Sequence, residues 1–358
     1  MLKSFSINSQ IKNYKIIFSN KYTINNYKNS VIIIDNNLKN FFDKKNNFIF
    51  ISSKEKSKSY DQINKILKKF LESGVNKQST IVAIGGGIIQ DIACFISTIY
   101  MRGVDWIYLP TTFLAMTDSC IGGKSSININ KAKNIIGTYN PPSKVIIDLK
   151  FLNSLSDRHL IEGTIEAAKI MFANNSFYRI NFFINQINIK NIKKINKKYF
   201  YKLIYLSLFN KKKIIEKDEF DKKDRLLLNF GHTFGHAIET ASKFKISHGI
   251  GVGIGIIFAL RFSKIYFNRP PSKLEKNLFN FIYSLLIKIP RITYLVNSTN
   301  KDIFLKVLLK DKKHYKDYFR FILTNKKGKL SIVKVKKNGL NLFNISNKIF
   351  DNFLKNEI

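Results

Sequence analysis

Three of the chain's five histidines, His232, His236 and His248, fall within 17 residues. They sit in Arg225-Leu-Leu-Leu-Asn229-Phe-Gly231-His232-Thr-Phe-Gly235-His236-Ala-Ile-Glu239, followed by Ser247-His248-Gly249. His232 and His236 are four apart, so they share one face of a helix opening at Gly231. Neutral imidazoles at that spacing can hold one divalent metal. A lone histidine reads as a core residue. A cluster, with the carboxylate of Glu166 available in Gly163-Thr-Ile-Glu166-Ala-Ala-Lys169, reads as a metal site. Nitrogen and carboxylate donors point to zinc, with cobalt compatible. Spacing alone selects His232 and His236 as ligands and leaves open whether His248 replaces one of them. Glu166 and Lys169, three apart, also share a helix face. On an exposed helix they would be an ion pair worth less than about 1 kcal/mol. The small, apolar neighbours suggest instead that this face is buried.

A second constellation is Ile81-Val-Ala-Ile-Gly85-Gly86-Gly87-Ile88-Ile89-Gln90-Asp91. An apolar strand enters three glycines and leaves as a helix. Backbone without Cβ atoms can approach a pyrophosphate closely, and the helix start offers N–H groups at a positive dipole end. The spacing is not Gly-x-Gly-x-x-Gly, so a plain tight turn competes with a nucleotide loop. Asp35, ending an earlier strand, suits a ribose diol; a loop cap is the competing role. Arg102, Lys124 and Lys133 stand in glycine-bearing turns with Thr111, Thr112, Asp118 and Asn134 close by in sequence. Cations beside glycine-freed backbone are what phosphate and carboxylate groups need.

These groups need a scaffold, and the pattern supplies one. Apolar runs at Val31–Ile34, Asn47–Ile51, Thr80–Ile84, Trp106–Leu109 and Val145–Asp148 read as strands. Tyr60–Ser73 and Ile88–Tyr100 read as helices, the first with Ile63, Ile66, Leu67, Phe70 and Leu71 on one face. Strands alternating with helices imply a parallel α/β sheet. After about residue 155 helical patterns dominate: Ile161–Phe172, Tyr199–Lys217, His232–Ser242, Gly249–Phe267, Lys273–Leu286 and Asn344–Lys355. Phe319–Thr324 and Lys329–Lys334 are strand-like pieces flanking a turn at Lys327-Gly328. The expected architecture is an α/β N-terminal nucleotide-binding domain with a parallel sheet, residues 1–154, and a mainly α-helical metal- and substrate-binding domain, residues 155–358. Segment 185–198, rich in Asn, Ile and Lys, is expected to be solvated.

Composition narrows the class. The chain of 358 residues is 45% hydrophobic, with 31 Phe and 16 Tyr, which excludes disorder. Its formal net charge is +37. Nucleic-acid or anionic-membrane binding would use such a charge. Lys is spread with Asn and Ile through nearly every segment, however, so compositional drift is the simpler account. The two cysteines form no Cys-x-x-Cys pair, which fits a reducing cytoplasm. The start, Met1-Leu2-Lys3-Ser4, lacks the apolar core of a signal peptide. The longest apolar stretch, Gly249–Leu260, is about a dozen residues where a span needs roughly 20.

Taken together, Gly-Gly-Gly-Ile-Ile-Gln-Asp, Tyr-Met-Arg-Gly, Pro-Thr-Thr, Asp-Ser-x-Ile-Gly-Gly-Lys, Lys-Asn-x-Ile-Gly, Asn-Phe-Gly-His-Thr-Phe-Gly-His-Ala-Ile-Glu and Asp-Lys-Lys resemble the 3-dehydroquinate synthase family. The motifs occur in that family's order across roughly residues 31–330. The resemblance implies metal ligands Glu166, His232 and His248, with His236 moved to the substrate's reacting oxygens. It implies NAD contacts at Asp35, Asn37, Glu55 and Lys58, along Gly87, Ile88, Ile89, Gln90 and Asp91, at Thr111, Thr112, Lys124 and Lys133, and at Phe151, Leu152, Asn153 and Ser154. It implies substrate contacts at Arg102, Asp118, Lys124, Asn134, Lys169, Lys211, Arg225, Asn229, His236 and Lys312, with Lys124, Lys169, Lys211, Arg225, Asn229 and His236 as the catalytic set. The sequence departs from the family at Gln90 (usually Gly), Ser125 (Thr), His159 and Ile250 (Glu) and Asp221 (Glu). No departure removes an implied metal ligand.

The implied reaction converts 3-deoxy-D-arabino-heptulosonate 7-phosphate to 3-dehydroquinate and phosphate, in the shikimate route to aromatic amino acids. NAD is a catalyst there and is not consumed, and zinc or cobalt polarises the substrate's oxygens. The substrate is an anionic sugar-acid phosphate, and the expected state is a cytoplasmic homodimer that binds neither nucleic acid nor membrane. The rivals are a sedoheptulose 7-phosphate cyclase, a metal-dependent polyol dehydrogenase that releases NADH, and a nucleic-acid-binding protein. Arg225 and Lys211 favour the heptulosonate, and the phosphate-type Gly-Gly-Lys and Lys-Asn groups oppose the dehydrogenase.

Overall fold

The computed structural model describes residues 4–19, 29–42, 48–130, 132–186, 191–310, 317–337 and 342–351. They form two compact units, residues 1–155 with 215–220, and residues 156–214 with 221–358.

The first unit is built on a seven-stranded sheet. Its elements are β1 (Phe5–Ile7), β2 (Tyr14–Ser19), β3 (Ser30–Asp35), β4 (Phe48–Ile51), α1 (Tyr60–Glu72), β5 (Thr80–Gly85), α2 (Gly87–Ile99), β6 (Asp105–Pro110), the hairpin β7 (Ile127–Ile129) and β8 (Ala132–Ile136), and β9 (Lys144–Asp148). The sheet order is β1-β2-β9-β6-β5-β3-β4, and every pairing is parallel except the edge strand β1 on β2. The five strands expected before residue 155 lie in it, Asn47 of the second falling outside the described residues. Ile33, Ile34, Ile81, Val82, Ala83 and Ile84 are fully buried, as strands covered on both faces are. β1 and β2 were not expected. β2 buries Tyr14, Ile16 and Phe18 inward and turns Lys15, Ile17 and Ser19 outward, Lys15 exposed and the other two half-buried, so Lys15 and Ser19 cut short the apolar run that marks the other strands.

α1 corrects one expectation. Ile63, Ile66 and Phe70 are buried, while Leu71 is 67% exposed. One residue past Phe70 is a turn of about 100° away from the core stripe. Residues 215–220 pack with this unit through Glu216, which accepts from the Asn8 N–H at 2.7 Å, and Glu219, which accepts from Ser9 Oγ at 2.5 Å and the Gln10 N–H at 2.7 Å.

The second unit carries α3 (Asp157–Ala173), α4 (Asn181–Ile184), α5 (Lys197–Ile215), α6 (His232–Ala241), α7 (His248–Phe267), α8 (Lys273–Leu286), α9 (Ile292–Asn297), α10 (Lys301–Leu309), the antiparallel hairpin β10 (Tyr318–Thr324) and β11 (Leu330–Lys336), and α11 (Leu342–Asp351). Ile192 and Ile195, in the segment expected to be solvated, are buried at 2% and 3% exposure. They supply apolar anchors that a composition of Asn and Lys disguises; residues 187–190 of that segment lie outside the described residues.

α7 is the axis of this unit. Every residue from Gly249 to Ser263 is buried. The helix is 20 residues long, longer than the dozen-residue stretch visible in sequence, and is the one helix among the described residues apolar enough to cross a membrane. Its apolar window is 78% buried inside the fold, so the core accounts for that character. Alternate glycines set its neighbours. A Cβ on Gly249 would meet Glu162 Cβ at 2.6 Å, and one on Gly253 would meet Ile165 Cδ1 at 2.8 Å, both on α3. A Cβ on Gly251 would meet Glu239 Cγ of α6 at 2.9 Å, and one on Gly255 would overlap the Gly231 carbonyl. Without these Cβ atoms α3 and α6 lie directly against α7.

Candidate functional site

The close packing of α3, α6 and α7 decides which polar groups meet. Gly231 precedes α6 with φ 79°, a left-handed conformation that glycine adopts without penalty. A Cβ there would also meet the Ile256 nitrogen and the Val252 carbonyl of α7 at 2.9 Å each. His232 therefore starts α6 against α7, and His248 starts α7. One donor atom each from Glu166, His232 and His248 lies within 4.8 Å of the others. The three imidazoles form a triangle: centroids are 5.3 Å apart for His232–His248, 5.5 Å for His232–His236 and 5.6 Å for His236–His248.

Glu166 is 1% exposed and is met by the Lys169 ammonium one turn along α3, itself 2% exposed. His232 Nδ1 lies 3.3 Å from the Phe230 carbonyl. His248 Nδ1 lies 2.9 Å from Glu239 Oε1, and its Nε2 lies 3.9 Å from Glu166 Oε1. Loss of water among the neighbouring groups works against a charge on His248. The hydrogen bond and charge of Glu239, with the charge of Glu166, outweigh it and raise the imidazole above its ordinary pKa, against a smaller opposing push from Lys169. A second set, His236, Glu239 and His248, also brings its donors within 4.8 Å. Glu239 was not singled out from sequence. Its signal was there: 232, 236 and 239 are i, i+4 and i+7, one helical face.

Of the other expected residues in this unit, Lys211 (6%) and Arg225 (3%) are buried cations, on α5 and in the 3-10 turn Asp224–Asn229. Asn229 ends that turn and donates from Nδ2 to the Leu226 carbonyl at 3.1 Å. Lys312 lies outside the described residues. Ile250, a family departure, is 1% exposed in the α7 core. His159, another, binds Ser156 Oγ at the start of α3, 3.0 Å away.

In the first unit the chain leaves β3 for the neighbouring β4, then returns to β5 on the other side of β3. The carboxyl ends of β3 and β5 thus flank a switch point, where open α/β sheets bind ligands. Asp35 ends β3 and Gly85 ends β5. Asp35 is 6% exposed, and its Oδ1 accepts from the Asn37 N–H at 3.0 Å, the capping role. Asn37 Nδ2 reaches Ser53 Oγ at 3.0 Å. Gly86 caps α2 without a side-chain hydrogen bond, leaving the first turn's N–H groups outside the helical ladder. A Cβ on Gly87 would meet nothing nearer than Ser119 Oγ at 4.0 Å, so the backbone there is open. Ile89 is fully buried, and a Cβ on Gly86 would strike Thr112 Cγ2 at 2.8 Å.

Lys58 is buried and pairs with Asp91 Oδ2 at 2.6 Å, Asn134 Oδ1 at 3.0 Å and Ser126 Oγ at 3.2 Å, with Glu55 Oε1 at 3.8 Å. Burial raises the Asp91 carboxyl, and Lys58 and Ser126 offset only part of that. Asn134 takes a left-handed φ of 55° in the β7–β8 hairpin, beside exposed Lys133. Asp118 sits half-buried in a π-helical turn, Ala115–Ser119, and Lys124 is exposed. Gln90 clamps that turn: Nε2 donates to the Ser119 carbonyl and Oε1 accepts from Ser119 Oγ, both at 2.6 Å. Thr111 is buried after β6. Phe151 and Leu152 are buried after β9, with Asn153 and Ser154 exposed. Ser125, the smaller residue at its position, binds Thr138 Oγ1 at 2.7 Å.

Arg102 is not brought to this edge. It follows the C-terminal end of α2, exposed and with φ 59°. Thirteen helical residues separate it from Gly86, about 20 Å at 1.5 Å per residue. Cys94 offers no chemistry: burial pushes its thiol up to about 12.

Comparison with known proteins agrees with these motifs and their order. The family model described as 3-dehydroquinate synthase N-terminal matches residues 48–162, and that described as 3-dehydroquinate synthase C-terminal matches residues 163–314. The 3-dehydroquinate synthase of Dictyoglomus turgidum is 38% identical over 295 residues, covering 80% of this chain and 79% of that protein. That of Francisella tularensis subsp. tularensis is 36% identical over 292 residues, covering 81% and 79%. Among solved structures, 2-deoxy-scyllo-inosose synthase complexed with carbaglucose-6-phosphate, NAD+ and Co2+ superposes with a TM-score of 0.81 at 22% identity, over 97% of this chain and 99% of that one. The 2-epi-5-epi-valiolone synthase of Streptomyces hygroscopicus, with NAD+ and Zn2+ bound, gives 0.78 at 19% identity, over 97% and 98%. At those identities the structures speak for the fold, and the sequence matches, spanning both units, show that this chain belongs to the 3-dehydroquinate synthase family.

Proposed function

We propose that Glu166, His232 and His248 hold a divalent zinc or cobalt ion, and that the first turn of α2 holds NAD. The chain is a phosphate-eliminating lyase of its family, converting 3-deoxy-D-arabino-heptulosonate 7-phosphate to 3-dehydroquinate and phosphate. The observation that carries the metal assignment is the meeting of one carboxylate and two imidazoles, from three helices, within 4.8 Å. The donor set fits: two nitrogens and one oxygen leave a zinc-type site a position for substrate. The open backbone at Gly87, beside a switch point, fits a pyrophosphate. When bound, the metal polarises the substrate's reacting oxygens, and NAD takes up a hydride and returns it.

The chain's own groups do the rest. Lys169, buried against Glu166, balances that carboxylate's charge and offers a donor beside the ligands. His236, stacked on His248 at an interplanar angle of 27°, can hold or move a proton at the substrate. Lys211 and Arg225, both buried in the second unit, form strong charge-assisted bonds to carboxylate or phosphate. Asp118, Lys124 and Asn134 are the substrate groups of the first unit, with Gln90 fixing the turn that carries Asp118. The chain's positive charge favours capture of such an anion. Arg102, at the far edge of the sheet from Gly87, is assigned to the site of a second copy, which makes the working unit a homodimer. A cytoplasmic location belongs to the same reading; Cys94 and Cys120 are both buried thiols, as a reducing compartment allows.

The test is one incubation. Purified protein with NAD and zinc releases inorganic phosphate from the heptulosonate phosphate with no net NADH. Accumulating NADH would mark a polyol dehydrogenase, and turnover of sedoheptulose 7-phosphate alone would mark a different cyclase.

A further inference from the structure

We propose that Glu239 is a positioning residue for the metal site: it fixes the His248 ring with the proton on Nδ1, so that Nε2 is the nitrogen turned to Glu166. The inference rests on the assignment of Glu166, His232 and His248 as metal ligands.

Glu239 Oε1 lies 2.9 Å from His248 Nδ1. A carboxylate can only accept, so the ring must donate from Nδ1. A neutral ring so protonated carries its lone pair on Nε2, which faces Glu166 Oε1 at 3.9 Å. A carboxylate behind a ligating imidazole both orients the ring and raises its basicity.

Two further features show that Glu239 is held for this task. Its methylenes lie in the α6–α7 seam, where a Cβ on Gly251 would meet Cγ at 2.9 Å and Oε1 at 3.1 Å. The side chain is thus gripped by the helix that begins with His248. The other sides of the His248 ring are taken by His236, stacked at 5.6 Å, and by His232, tilted 68° at 5.3 Å. His248 has a 43% exposed side chain and stands first in its helix, so these neighbours, and not an enclosing core, set its ring. Glu239 also belongs to the second group of close donors, with His236 and His248. Its oxygen is committed to Nδ1, which makes it a support for a ligand.

The experiment measures zinc affinity, by competition with a chelating dye, for the wild type, His248→Ala, Glu239→Leu and Glu239→Gln, alongside melts of the metal-free proteins. Glu239→Leu is expected to weaken zinc about 10–100-fold with the metal-free melt unchanged. Glu239→Gln keeps an amide oxygen that accepts from Nδ1–H, and is expected to bind more tightly than Glu239→Leu. The cobalt-loaded absorption bands should shift in Glu239→Leu and stay near wild type in Glu239→Gln. Wild-type affinity in Glu239→Leu, or equal losses in the two variants, overturns the inference and leaves the ligand assignment standing. Equal affinity in wild type and His248→Ala overturns the ligand assignment itself.

Discussion

Gly235→Ala separates helix propensity from site geometry. Gly235 lies between His232 and His236, on the side of α6 that faces α7. A Cβ there would meet the Gly251 carbonyl oxygen at 2.8 Å, the Gly251 carbonyl carbon at 3.0 Å and the Val252 nitrogen at 3.1 Å. All three atoms are backbone and cannot rotate away. Ordinary contact begins near 3.4 Å, so α6 and α7 have to part by about 0.6 Å, short of what would unfold a core. Alanine favours a helix over glycine by about 1 kcal/mol, which offsets much of the overpacking cost of about 1–3 kcal/mol. Net stability therefore falls by no more than about 2 kcal/mol. The metal ligands have no such offset. His232 rides on α6 and His248 on α7, and metal–ligand distances tolerate only about 0.2 Å. Zinc affinity is expected to drop on the order of 10–100-fold, as when a supporting partner is lost. The assay is a chelator-competition titration beside melts of metal-free protein. Gly253→Ala is the control, because its Cβ would meet Ile165 Cδ1 at 2.8 Å and Leu286 Cδ2 at 3.2 Å, side-chain tips that can move. Zinc affinity of Gly235→Ala within about threefold of wild type would refute the claim that glycine contacts set the ligand spacing.

Two further outcomes follow from named contacts. Glu275 is buried; burial pushes its carboxyl up, but Arg269 (2.7 and 2.8 Å), Thr324 Oγ1 (2.5 Å) and Ser272 outweigh that and hold it below the usual range. A depressed carboxyl stabilises the fold above its unfolded pKa of about 4.3, and that stability is lost as pH falls through the folded pKa. Glu275→Gln should therefore cost about 3 kcal/mol near neutral pH, and the gap in melting temperature should begin to narrow below about pH 4; a gap that stays constant into acid would count against the pairing. For Arg102, mixing unfolded Arg102→Ala and His248→Ala chains and refolding them together should restore about a quarter of wild-type activity, since half the dimers are mixed and each has one intact site; no restoration would mean that Arg102 serves its own chain.

How much of this was legible in the sequence depends on whether a feature is local or arises between segments. The strands β3, β5, β6 and β9 were legible because a strand buried on both faces needs an unbroken apolar run. The switch point that sets Asp35 near Gly85 was not, because strand order is a matter of pairing. For the histidines, spacing could compare only residues on one helix, and on that basis it favoured His232 with His236. His248 begins a different helix, and its approach depends on Gly231 and Gly235 meeting α7 at Gly251 and Gly255. Those glycines stand four apart on each helix, a pattern of close packing that reads in one dimension as mere apolar filler. The role of Glu239 was hidden for the same reason: its place on the histidine face of α6 was legible, but the ring it holds belongs to α7. A linear motif can name the groups that do chemistry. The atoms that hold those groups at bonding distance sit on the facing helix, and here several of them are glycines, recognisable by the side chain they lack.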